Sequence, residues 1–130
     1  MAVRKSSDRV VFVTAPDEDR AVKLGGALVE ERLAACANLV GPIRSIYRWK
    51  DKIEDAAEHL LIIKTRASLY SALEKRVKEL HPYEVPEIIA INIESGLPQY
   101  LSWIHESTTV VRKNHARKAG TGRSKRAGKQ

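Results

Sequence analysis

Runs of period two alternate with stripes of period three to four along this chain, and their order predicts its elements. Residues 10–14, Val-Val-Phe-Val-Thr, are a β-branched and aromatic run of the kind that forms a buried central strand. Ala15-Pro16 follows, then Asp17, Glu18 and Asp19. Proline near a first turn and acids facing the helix dipole mark a helix N-terminus. Ala21, Leu24 and Leu28, flanked by Val22, Val29 and Leu33, predict a helix reaching about Ala35. Gly25-Gly26 inside it costs on the order of 1 kcal/mol per glycine in propensity, so it reads as a close contact with a sheet, not a ligand loop.

From Cys36 to Thr65 the period is two. Ile43, Ser45, Tyr47 and Trp49 share one face, and Arg44, Ile46 and Arg48 the other. Gly41-Pro42 predicts a bulge or bend, and Lys50-Asp51-Lys52 a turn into a second strand ending at His59–Lys64. Ser68 is the expected cap of a second helix with Leu69, Leu73, Val77 and Leu80 on one stripe, ended by His81-Pro82. Pro82 and Pro86 hold 83–87 extended, Ile88–Ile93 is a fourth strand, and Gly96 and Pro98 lead into a closing helix from Gln99 to about Ser107. No internal repeat is present. The order predicts an α+β fold: a ferredoxin-like βαββαβ sandwich with an extended hairpin between its second and third strands and a short C-terminal helix. The first strand spans roughly 17 Å at ~3.3 Å per residue, whereas Ala37 to Trp49 would reach roughly 40 Å. A ~100-residue domain has a radius of gyration near 13 Å, so the hairpin must overhang. Its tip carries Ile46, Tyr47 and Trp49, which predicts cover by a partner subunit.

Composition sets the boundaries. With 130 residues, 43% of them apolar, the chain holds one globular domain, expected over 10–109, between a flexible N-terminus at 1–9 and a disordered basic tail at 110–130. The net charge of +7 belongs to that tail, where Arg112, Lys113, Arg117, Lys118, Arg123, Lys125, Arg126 and Lys129 face no acid after Glu106. The body keeps 15 Lys and Arg against 16 Asp and Glu. A polyanion such as nucleic acid is a possible partner for the tail, with steep salt dependence, and simple solubilisation is the plainer role. No apolar run approaches the ~20 residues of a membrane span, and no signal-like stretch opens the chain. With a single cysteine as well, a cytoplasmic location is expected.

Catalytic templates are absent: no phosphate-binding glycine loop, no HExxH, no G-x-S-x-G, no base–nucleophile pair. An enzyme is not expected. Cys36, placed just past the first helix, reads either as a small buried apolar residue or as a soft metal ligand. His81 reads either as a capping histidine at a helix C-terminus or as a ligand for Cu or Zn. Trp49, between Arg48 and Lys50, lines a pocket between subunits or fills an interface; Glu84 and Glu87 neutralise such a pocket or sit in water.

Five segments then resemble one family. Thr14-Ala15-Pro16-Asp17-Glu18, Glu31-Arg32-Leu33-Ala34-Ala35-Cys36-Ala37-Asn38, Ser45-Ile46-Tyr47-Arg48-Trp49-Lys50, His81-Pro82-Tyr83-Glu84-Val85-Pro86-Glu87 and Tyr100-Leu101-Ser102-Trp103 are similar, in order, to the CutA divalent-cation-tolerance proteins. The resemblance covers residues 10–107. It implies a ferredoxin-like homotrimer with the architecture of the PII signalling proteins, and an association with copper and other divalent cations. Of the family's metal ligands it carries over only His81; Cys36 matches a cysteine of the family outside that ligand set and stays a candidate ligand through its own soft thiol. The family's first-strand cysteine falls at Val13, and its histidine pair reads Leu80-His81. The likeness to PII proteins implies an alternative, an anionic ligand in clefts between subunits. Tyr47, Trp49, Lys50, Lys64, Tyr83 and Glu87 are the residues expected to line such a pocket.

Overall fold

The computed structural model of the chain describes residues 7–110; residues 1–6 and 111–130, which hold nearly all of the expected tail, lie outside the described residues. The elements are β1 (Asp8–Ala15), α1 (Glu18–Glu30), β2 (Cys36–Trp49), β3 (Lys52–Arg66), a 3-10 turn (Ala67–Leu69), α2 (Tyr70–Leu80), β4 (Ile88–Asn92) and α3 (Pro98–Ser107). The four strands form one antiparallel sheet in the order β2-β3-β1-β4, the ferredoxin-like arrangement. Alternation decides its faces. Val11, Val13, Leu61 and Ile63 point to one side and meet Ala21, Leu24 and Leu28 of α1 and Leu73 and Val77 of α2, all buried. Gly25 belongs to this contact, since a Cβ there would stand 3.1 Å from the Ala37 Cβ and 3.4 Å from Leu61 Cδ2. Gly26 does not: a Cβ added to it meets nothing within 4 Å.

Several boundaries differ from the expectation. β1 begins at Asp8, ahead of the apolar run, because Asp8 and Arg9 pair with Arg66 and Thr65 of β3. Helix α1 stops at Glu30 rather than near Ala35. Arg32 turns left-handed (φ 61°), and the Leu28 carbonyl accepts from both Leu33 and Ala34 N–H groups. The Ala35 N–H then donates to the Lys64 carbonyl, so the sheet captures the segment before the helix can extend. Cys36 opens β2, at the residue where the period-two pattern begins. Ser68 lies inside the 3-10 turn, and α2 begins at Tyr70 behind Leu69 with no side-chain cap.

The hairpin is as long as its pattern demands. Lys50 (φ 50°) and Asp51 (φ 67°) form a two-residue turn with both residues left-handed, the geometry that matches strand twist. The register shifts between Val40 and Ile43, at Gly41-Pro42. β1 accompanies β3 only from His59 to Arg66, so Lys52–Glu58 and their partners in β2 run on past the sheet for roughly 20 Å. Arg44 clamps the overhang by a bidentate contact to Asp55, at 2.9 and 2.7 Å. Helix α3 is anchored to β3 by Arg66, which donates to Thr108 Oγ1 and to the Thr108 carbonyl at 2.7 and 2.9 Å.

Candidate functional site

Where the overhang leaves the sheet, the end of β1 and the loop between α2 and β4 close a cleft of about 790 Å³. Tyr47, Trp49, Glu54 and Glu58 line it from the hairpin, Thr14 from β1, and Tyr83, Glu84 and Glu87 from the loop. Pairing across the turn explains the first group. Tyr47 stands opposite Glu54, and Ile43 opposite Glu58, so aromatic and acidic side chains share a face.

His81 shapes the other wall. It ends α2 and is buried, with its Nε2 2.7 Å from the Thr14 carbonyl and its Nδ1 3.1 Å from the Tyr83 N–H. A carbonyl only accepts and an amide N–H only donates, so these bonds are met by the neutral ring protonated at Nε2. Its ring also packs on Tyr83, with centroids 4.7 Å apart. Thus held, Tyr83 donates its hydroxyl proton to Glu58 Oε2 at 2.7 Å. Burial and the Glu58 charge push the Tyr83 phenol well above its ordinary pKa. Burial, and then the same Glu58 charge, raise the Glu87 carboxyl above the usual carboxylate range.

A family model for the CutA1 divalent ion tolerance protein matches residues 9–107. The chain belongs to the CutA1 divalent ion tolerance family. It is 52% identical over 100 residues to protein CutA of Mus musculus, across 77% of this chain and 56% of that protein, so it spans about half of the mouse relative's length. It is 48% identical over 101 residues to the divalent-cation tolerance protein CutA of Thermus thermophilus, covering 78% of this chain and 98% of that one. The crystal structure of CutA from Xylella fastidiosa superposes with a TM-score of 0.78 at 42% identity, over 80% of this chain and 100% of that chain. These neighbours share the ferredoxin-like fold. No helix among the described residues is long and apolar enough to cross a membrane.

Against this CutA1 background, the structure distributes the expected site residues unevenly. Tyr47, Trp49, Tyr83 and Glu87 line the one cleft. Lys50 stands at its mouth, 3.9 Å from Glu84 Oε1 and 5.6 Å from the Trp49 ring centroid. Lys64 is elsewhere, paired across the sheet with Cys36 and donating to Asn38 Oδ1. The cleft of the single chain is thus acidic, with no lysine or arginine on its lining. Cys36 lies 4.0 Å from the Tyr100 hydroxyl and 3.8 Å from Asn38 Oδ1. A metal ion reaches His81 only by displacing one of its two hydrogen bonds. Val13 is buried in the core and Leu80 is half exposed at the end of α2, so neither supplies a ligand. Among the described residues no three His, Cys, Asp or Glu side chains gather closely enough to hold a metal ion. Glu54 and Glu58 are the cleft residues the sequence reading missed. The signal for them was the hairpin register, counted outward from the turn at Lys50-Asp51.

Proposed function

We propose that this chain is a non-enzymatic homotrimer that serves divalent-cation tolerance, with copper(II) or another divalent cation held where the cleft of one subunit faces the next. The observation that carries this reading is the lining of the cleft: Glu54 and Glu58 on a hairpin that overhangs its own sheet and Glu84 and Glu87 on the loop facing it, with no cationic side chain among them. Oxygen ligands of this kind suit hard divalent ions, and copper binds most sites more tightly than its first-row neighbours do. The described residues of one chain do not bring three ligands together, so a neighbouring subunit completes the set. His81 acts in this reading by fixing Tyr83 and the loop that carries Glu84 and Glu87. The free thiol of Cys36 suits a reducing cytoplasm.

Isothermal titration with Cu(II) tests the reading. Glu87→Gln should weaken binding by about tenfold, the cost of one charged ligand contact worth ~1.4 kcal/mol or more. An unchanged isotherm in Glu87→Gln would sink the cleft as the cation site. His81→Ala, run beside it, places the imidazole in the coordination shell if it abolishes binding outright while Glu87→Gln does not.

A further inference from the structure

Four carboxylates and three aromatic rings share the walls of this cleft, and the two features together point to a second class of cation. A divalent metal ion needs several oxygens converging on one point at about 2.0–2.6 Å. The described residues hold no such group. An alkylammonium is less demanding. Its charge can be met by one carboxylate at a time, its donors bond to separate acceptors, and a ring face within ~6 Å attracts it. Apolar stems pack on aromatic and aliphatic walls, here Tyr47, Trp49, Tyr83 and Val85.

Two observations on the chain itself sharpen this. Lys50 already seats an ammonium at the mouth of the cleft, over the Trp49 ring and beside Glu84. That side chain is a tethered example of the ligand chemistry the wall accepts. Deeper in, Glu58 is only 5% exposed. One of its oxygens accepts the hydrogen bond of the Tyr83 hydroxyl, while the other accepts no hydrogen bond from any described residue, and no described cation stands within ion-pair distance. A buried carboxylate with open acceptor capacity and no counter-charge is costly unless a cation meets it. Glu87 faces the same uncompensated charge.

We infer that the cleft binds a linear organic diamine or polyamine. One terminal ammonium meets Glu58 and Glu87, the alkyl stem lies along Tyr47, Trp49 and Tyr83, and a second ammonium takes the place of Lys50 between Trp49 and Glu84. The volume of about 790 Å³ accommodates such a chain. This goes beyond the divalent-cation reading and does not rest on it, because the aromatic wall is needed for the amine and not for the metal.

Titration calorimetry on the full chain with spermidine and with putrescine tests it. Wild type should bind spermidine; Trp49→Ala and Glu58→Gln should each weaken that binding by about tenfold, and Trp49→Phe, which keeps a ring face, by no more than about threefold. Lys50→Asn tolerates the left-handed turn and should tighten binding severalfold by removing the tethered competitor. Copper titrations on the same variants separate the two readings. Trp49→Ala should keep its circular dichroism spectrum while its spermidine affinity falls by that factor. No heat with either amine, or spermidine affinity unmoved by both Trp49→Ala and Glu58→Gln, overturns the inference. Spermidine binding without copper binding would instead overturn the divalent-cation site and leave this one standing.

Discussion

At the scale of single residues, the cleft depends on one hydrogen bond whose acceptor is buried. Removing the Tyr83 hydroxyl leaves the Glu58 carboxylate without its one described donor, and an unsatisfied buried acceptor costs ~1–3 kcal/mol. Tyr83→Phe should therefore lower unfolding free energy by about that amount in urea titrations; a loss below ~0.5 kcal/mol would mean that water replaces the phenol fully. Glu87 supplies the pH dependence. Its carboxyl pKa is raised in the folded state, so the native chain holds that proton more tightly than the unfolded chain does. Stability is then lost as pH climbs from the ordinary glutamate value of about 4.3 through the raised one, and the loss is complete above it. Glu87→Gln removes this penalty. Its melting temperature should exceed that of wild type at pH ~7 and match it below pH ~4, where both side chains are neutral. A Glu87→Gln melting curve lower than wild type at neutral pH would show that the carboxylate makes a favourable contact instead.

At the scale of elements, the two adjacent glycines of α1 separate two effects that sequence alone merges. Gly25→Ala places a methyl 3.1 Å from the Ala37 Cβ, on a strand fixed by pairing to β3, and overpacking of this kind costs ~1–3 kcal/mol. Gly26→Ala meets open space, so it should stabilise by ~0.5–1 kcal/mol through helix propensity alone. Chemical denaturation of the two variants should move in opposite directions; equal shifts would show that helix–sheet spacing is not set at Gly25. The same elements show what the sequence could reveal. Period-two alternation from Ile43 to Trp49, a turn within Lys50-Asp51-Lys52 and the break at Gly41-Pro42 were legible because each is a local rule acting on neighbouring residues. The end of α1 was not, because Leu33-Ala34-Ala35 continues the helical pattern. What stops the helix is a long-range bond from the Ala35 N–H to the Lys64 carbonyl. The cleft divides in the same way. Its aromatic side and Glu87 stand in segments with strong local signals, whereas Glu58 is acidic, buried and set by register across the hairpin. Lys64 was expected among them through the likeness to PII proteins, and within one chain strand pairing places it beside Cys36 and Asn38.

At the scale of the whole molecule, the described residues leave apolar surface that none of them covers. Ile46 and Ile53 on the hairpin are 64% and 61% exposed, and Ile89 and Ile91 on edge strand β4 are both 53% exposed. The hairpin tip and β4 lie at different ends of the sheet order, so no rearrangement within one subunit brings them together. Contacts between copies would, and the proposed closed ring of three would pair the tip of each copy with a sheet of the next. Light scattering behind a sizing column should then give about three times the chain mass of 14.6 kDa for the full chain. Replacing both exposed hairpin isoleucines, Ile46→Lys with Ile53→Lys, puts two charges into that contact without touching the core of Val11, Leu61 and Leu73. The double variant should elute at the mass of one chain with an unchanged far-ultraviolet spectrum. Its amine and copper affinities should fall unequally, since the metal needs a neighbour to complete its ligands and the amine meets Glu58, Glu87 and Trp49 of one chain. A three-chain mass that survives the double substitution would move the assembly away from the hairpin, and a wild type of single-chain mass at micromolar concentration would refute it altogether.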